Sequence, residues 1–193
     1  MSDVFAQALS FTLQREGKTS TDPDDPGNWT GGKVGAGELK GTRYGISAAA
    51  FPNVDIRGLT LEDASLLYRV HYWMNPKFDQ VAAVAPDVAA RLFDLGVNCG
   101  TGGAGRMLQR ALNVVAAGEV APQRRAAWRQ KIVRVLGGKV LRVDGAIGPV
   151  TLEVLHACPY QVAVLIALIG EAYNHYRRLD PLYIPGWLER LGS

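Results

Sequence analysis

The stretch LQREGKTSTDPDDPGNWT, residues 13–30, closes a helical pattern on a glutamate and then breaks into an acidic, turn-rich run. Upstream, Phe5, Leu9 and Leu13 recur at the spacing of one helix face, and Glu16 is the next member of that stripe. Gly17 supplies a stop. From 17 to 47 the chain is rich in Gly, Pro, Asp, Asn and Thr, and a run of that length without periodicity forms a functional loop or short strands.

A helix C-terminus carries partial negative charge, so an anionic glutamate in the last turn is disfavoured by about 0.3–1 kcal/mol. Partial burial below Leu13 pushes the same way, and the Glu16 carboxyl is expected to hold its proton more tightly than usual. A carboxyl protonated near neutral pH is what a general acid requires, and glycoside cleavage requires one. The second requirement is a carboxylate that stays ionised, and Asp22, Asp24 and Asp25 offer one in a polar loop. The same aspartates also suit plain turn and cap roles.

Composition narrows the classes. The 193 residues are 48% hydrophobic and 20% charged, enough to bury a core in one domain or in two closely packed lobes. The longest apolar run, VAVLIALIG at 162–170, is far shorter than a bilayer span of roughly 20 residues and meets Glu171 at once, so it reads as a core helix and no stable membrane insertion is expected. Two cysteines, Cys99 and Cys158, make neither a disulfide framework nor a zinc site. His71, His156 and His175 share no ligand spacing, so no metal or other cofactor is expected. GTGGAG at 100–105 lacks the ending of a phosphate loop and reads as a flexible helix entry. Between Arg106 and Arg142 lie nine Lys or Arg against one acid, Glu119. No stacking pattern accompanies that charge, so a solvated basic face is favoured over nucleic-acid binding.

Thr60 with Asp63 forms a capping box that opens a second helix ending near Asn75 and Pro76. Further helical patterns run over 86–95, 105–117, 122–136 and 159–178. In DGAIGPVT (144–151), Asp144 and Gly145 make a turn and Pro149 starts a helix. Strand signals are short, KV near 33 and RYGIS near 43. The expected fold is mainly α, with a small irregular β region after the first helix.

With these motifs in order, the chain resembles the glycoside hydrolase family 108 N-acetylmuramidases of phage endolysins and bacterial secretion-activator proteins. The likeness rests on REGK (15–18), DPDDPGN (22–28) and GTRYGIS (41–47), set against the family's Glu-Gly pair, Asp-x-Gly-Gly turn and Thr-x-x-Gly-Ile-Thr. It continues through YRVHYW (68–73), LFDLGVNCGTGGAGRMLQRALN (92–113), DGAIGPVT and PGWLERL (185–191). Here the family's Glu-Gly-Gly-Tyr is Glu-Gly-Lys-Thr, and a Gly-rich insertion, WTGGKVGAGELK (29–40), separates the acidic turn from the threonine.

The resemblance implies a lysozyme-like catalytic region over 1–85 and a helical, peptidoglycan-binding-type region over 86–193. It implies cleavage of the β-1,4 bond between N-acetylmuramic acid and N-acetylglucosamine, with Glu16 as catalytic acid and Asp25 and Thr42 acting on water. Tyr44, Tyr72 and Trp73 are candidate substrate contacts because sugar rings stack on aromatic faces, though packing serves equally. Asn98 suits a sugar N-acetyl group or a helix end.

The partners implied are peptidoglycan glycan strands. The opening residues show no basic leader and cleavage site, so the expectation is synthesis in the cytoplasm, release to the cell wall by a holin or secretion apparatus, and a monomeric state. Two rivals stand: a lytic transglycosylase, which needs only one acid, and a non-catalytic peptidoglycan-binding accessory protein.

Overall fold

A computed structural model describes residues 3–16, 19–117, 130, 134–137, 139–179 and 184–191. The stop at Gly17 and most of the helix expected over 122–136 lie outside these residues. The fold sorts into two compact units, Met1–His71 and Tyr72–Ser193.

In the first unit, helix α1 (Val4–Glu16) is started by Asp3, whose carboxylate accepts from the amides of Phe5 and Ala6. Phe5 and Leu9 are buried and Leu13 is half-buried, as the stripe requires. A single 3-10 turn (Pro26–Asn28) follows, then strands β1 (Thr42–Arg43) and β2 (Ile46–Ser47), paired antiparallel around Tyr44 and Gly45. Both turn residues have positive φ, 52° and 75°, which two-residue hairpins require because their twist matches that of the strands.

Val34 and its neighbours form turns rather than the strand expected at KV. Gly32, Gly35 and Gly37 all adopt positive φ, and extended pairing falls instead at Trp29 with Leu39. Helix α2 (Leu61–Tyr68) opens with the expected capping box: Thr60 Oγ1 accepts from the Asp63 amide, and the Asp63 carboxylate accepts from the Thr60 amide. It passes into a π turn over Arg69–Met74.

The second unit is helical. It contains α3 (Phe78–Ala82), α4 (Pro86–Cys99), α5 (Thr101–Ala117), α6 (Pro149–Ala157), α7 (Gln161–Tyr176) and α8 (Ile184–Leu191). Helices α4, α5 and α7 pack together around Leu92, Phe93, Leu108, Leu112, Val164 and Leu168, all fully buried. Helix α4 runs past the expected end at Leu95 to Cys99, and Gly96 within it is a packing site. A Cβ there would lie 3.1 Å from the Phe78 ring.

GTGGAG is likewise not a flexible entry, since α5 already begins at Thr101. A Cβ on Gly105 would fall 2.2 Å from the Gly145 carbonyl oxygen, so the glycines admit the 144–148 segment against the helix. Gln109 and Asn113, one turn apart on α5, then hold that segment. Gln109 donates to Asp144 (2.8 Å) and to the Ala146 carbonyl (3.0 Å) and accepts from the Gly145 amide (2.8 Å). Asn113 bonds both the amide and the carbonyl of Leu141 at 2.8 Å, taking the place of a neighbouring strand.

Pro149 opens α6 as expected. Among the described residues no helix is long and apolar enough to cross a membrane. The architecture is mainly α and lysozyme-like, with one small two-stranded sheet.

Candidate active site

The acidic turn is built on local hydrogen bonds. Asp22 accepts from the Asp24 amide at 3.0 Å, and Asp25 accepts from the Gly27 amide at 2.8 Å as cap of the 3-10 turn. Asp25 therefore does perform the capping role, and that bond fixes the plane of its exposed carboxylate.

At the centre of the loop is a residue that the sequence pattern marks only as a turn former. Asn28 is completely buried. Its Nδ2 donates to the Asp22 carbonyl (2.9 Å) and to Ser20 Oγ (3.1 Å), while its Oδ1 accepts from Thr42 Oγ1 (2.8 Å). Its main-chain amide donates to the Asp25 carbonyl, and its own carbonyl accepts from the amides of Lys40 and Gly41. Asp25 and Thr42, seventeen positions apart and separated by the insertion, are thus both bonded to one buried side chain or its backbone. Thr42 is fixed further by paired main-chain bonds with Ser20, at 2.8 and 2.9 Å.

Glu16 is the last residue of α1. One and two turns before it, the helix forms one wall of a cleft of about 630 Å³, lined by Leu9, Leu13 and Gln14 from α1, Leu61 and Ser65 from α2, Arg69 from the start of the π turn, and Tyr44 from the hairpin. Tyr44 is half-buried, with the Arg43 guanidinium 5.2 Å from its ring centre and its carbonyl accepting from the Tyr68 hydroxyl at 3.1 Å. Arg69 is held by Asp3 at 3.2 Å and lies over the Phe5 ring.

The remaining candidates belong to the second unit. Trp73 is 5% exposed and meets Phe93 edge-on at 6.0 Å, so its ring is used in the core and not for stacking on a sugar. Tyr72 is half-buried in the π turn, and burial pushes its phenol above the ordinary range. Asn98 lies in the last turn of α4 and donates to the Asp94 carbonyl at 2.6 Å, which is the helix-end reading.

Thiol chemistry has no foothold. Burial, with the nearby Asp94 charge, pushes the Cys99 thiol up to about 11, and its Sγ donates to the Leu95 carbonyl. Burial also raises Cys158. Among the described residues no group of three His, Cys, Asp or Glu is placed to hold a metal ion.

Comparison with known proteins adds two findings. Residues 9–100 match the family model described as Glycosyl hydrolase 108. The fold is similar to the solved structure of SagA from Brucella abortus, with a TM-score of 0.65 and 21% identity over 97% of this chain and 89% of that one. At that identity the likeness carries the fold alone. No curated protein matches the chain in sequence.

Proposed function

We propose that this chain, whose residues 9–100 match the family model described as Glycosyl hydrolase 108, is an N-acetylmuramidase that cleaves the β-1,4 bond between N-acetylmuramic acid and N-acetylglucosamine in peptidoglycan. The observation that carries the reading is the order of parts within the matched region: a helix ending on Glu16, then a loop in which Asp25 and Thr42 are both bonded to buried Asn28.

Glu16 donates its proton to the leaving oxygen. Asp25 and Thr42 act on the attacking water, with inversion at the anomeric carbon if the two carboxyls stand about 6.5–9.5 Å apart. Tyr44, on the wall of the cleft beside α1, supplies a sugar-stacking surface. The protein acts on glycan strands of the cell wall as a monomer, after release by a holin or secretion apparatus.

The test is release of soluble muropeptides from purified sacculi by the wild type and by Glu16→Gln, with mass analysis of the new ends. The wild type is expected to leave reducing N-acetylmuramic acid ends, and the variant to lose about 10²–10⁴-fold in rate, the usual contribution of a general acid. Near-native release by the variant would remove Glu16 from the chemistry. Product ends of the 1,6-anhydro type would make the enzyme a lytic transglycosylase, and binding without release would make it an accessory protein.

A further inference from the structure

We propose that Asn28 is a positioning residue that locks the Thr42 hydroxyl as a hydrogen-bond acceptor toward the attacking water; the inference rests on the role given above to Thr42.

The argument is one of donor and acceptor count. The Asp22 carbonyl, 2.9 Å from one end of the Asn28 amide, can only accept. That end must therefore be the NH₂, and its second hydrogen goes to Ser20 Oγ at 3.1 Å. The other end is then the oxygen, which faces Thr42 Oγ1 at 2.8 Å and can only accept. Thr42 has a single hydroxyl hydrogen, and this contact uses it. Only lone pairs are left for anything that approaches Thr42 from solvent.

The lock is well supported on both sides. Asn28 is 0% exposed and bonded through both amide ends, its own amide and its carbonyl, so the side chain has no room to flip. Thr42 is half-buried, so solvent reaches part of the residue, and its backbone is tied to Ser20 by two bonds, which fixes where the hydroxyl starts from. A water that bonds to Thr42 must spend a hydrogen on it. With its other hydrogen on a carboxylate, that water turns an oxygen lone pair toward the sugar. A threonine free to rotate would offer its own hydrogen instead and occupy that lone pair.

The test is a double-mutant cycle read as kcat and KM on sacculus fragments, using Asn28→Ala, Thr42→Val and the pair, with Thr42→Ser as the conservative control. Thr42→Val is expected to lower kcat about 10²-fold with KM little changed, the scale of a misplaced reacting group. Thr42→Ser, which keeps the hydroxyl, is expected to recover most of that loss. Asn28→Ala should lower kcat at least about tenfold in the wild-type background and not at all in the Thr42→Val background, since residues that act as a unit are non-additive.

Additive losses would overturn the lock alone and leave the muramidase reading intact. Full activity in Thr42→Val would remove Thr42 from the chemistry, and this inference with it, while a loss in Glu16→Gln still upheld the acid. If Asn28→Ala does not fold, neutron diffraction on the wild type decides the matter. Deuterium on the line from Thr42 Oγ1 to Asn28 Oδ1 supports the lock, and deuterium pointing to solvent overturns it.

Discussion

Tyr44 holds φ at 52° in a two-residue turn, a conformation that costs a side chain bearing a Cβ on the order of 1–3 kcal/mol. Asparagine and glycine are the residues this turn favours, so a tyrosine there is kept for something other than the turn. Tyr44→Asn is therefore expected to raise the melting temperature, by about 1 kcal/mol in stability, and to raise KM through loss of a stacking surface. A variant with unchanged KM would show that the ring only packs. At this scale the sequence is read well where a residue's type is itself the signal. The helix end at Glu16 and the cap at Asp25 are legible because a stripe that stops before glycine and an aspartate before Pro-Gly are local signals. Asn28 is not legible in this way, because an asparagine beside Pro and Gly looks like any turn former, and its burial and three side-chain hydrogen bonds exist only once residues 20, 22 and 42 are brought together.

Among elements, the capping box at Thr60 and Asp63 was fully legible, since both of its bonds are made within four residues. Thr60→Ala is expected to cost about 0.5–2 kcal/mol. The bonds from the Thr60 hydroxyl and amide also hold the Asp63 carboxyl below the usual range. A lowered value in the folded chain means that the unfolded chain takes up the proton first on acidification. The contribution is therefore complete above the ordinary aspartate value of about 3.9 and is lost as pH falls through the lowered one. Melting temperature should fall more steeply in that acid range for the wild type than for Asp63→Asn, and equal slopes would sink the idea. The misread elements share one cause. The pattern over 86–95 stops one residue short of Gly96 and GTGGAG reads as a flexible entry, yet Gly96 and Gly105 are each the place where another part of the chain, the Phe78 ring or the Gly145 backbone, comes too close for a Cβ. Such approaches are long-range facts with no local trace.

At the scale of the molecule, the helical class and its small β region were readable from periodicity, while the clasp of Gln109 on 144–146 was not, because its partners lie some 35 residues along the chain. Gln109→Glu is the sharpest probe of that clasp. It sets a buried carboxylate against Asp144 and the Ala146 carbonyl, and it is expected to cost about 3 kcal/mol or more at pH 7, with partial recovery near pH 4 as the new acid takes up a proton. Thermal unfolding at the two pH values checks it. The net charge of +3 makes a second prediction for the whole chain. Sedimentation with anionic sacculi should weaken as salt shortens the screening length from about 10 Å at 0.1 M to about 3 Å at 1 M. Binding indifferent to salt would assign adhesion to specific contacts instead.

The two thiols carry a practical consequence for the molecule as a whole. Burial holds both thiols above the ordinary range, Cys99 at about 11, so neither is a ready thiolate at neutral pH and alkylating reagents find little to attack. Val34 stands 55% exposed in the 29–40 arm, whose base is closed by Asn28 through the Lys40 and Gly41 amides. A cysteine placed there would be the one reactive handle on the native chain. A fluorophore or spin label attached to it would report on the arm without first stripping the molecule of its own sulfur.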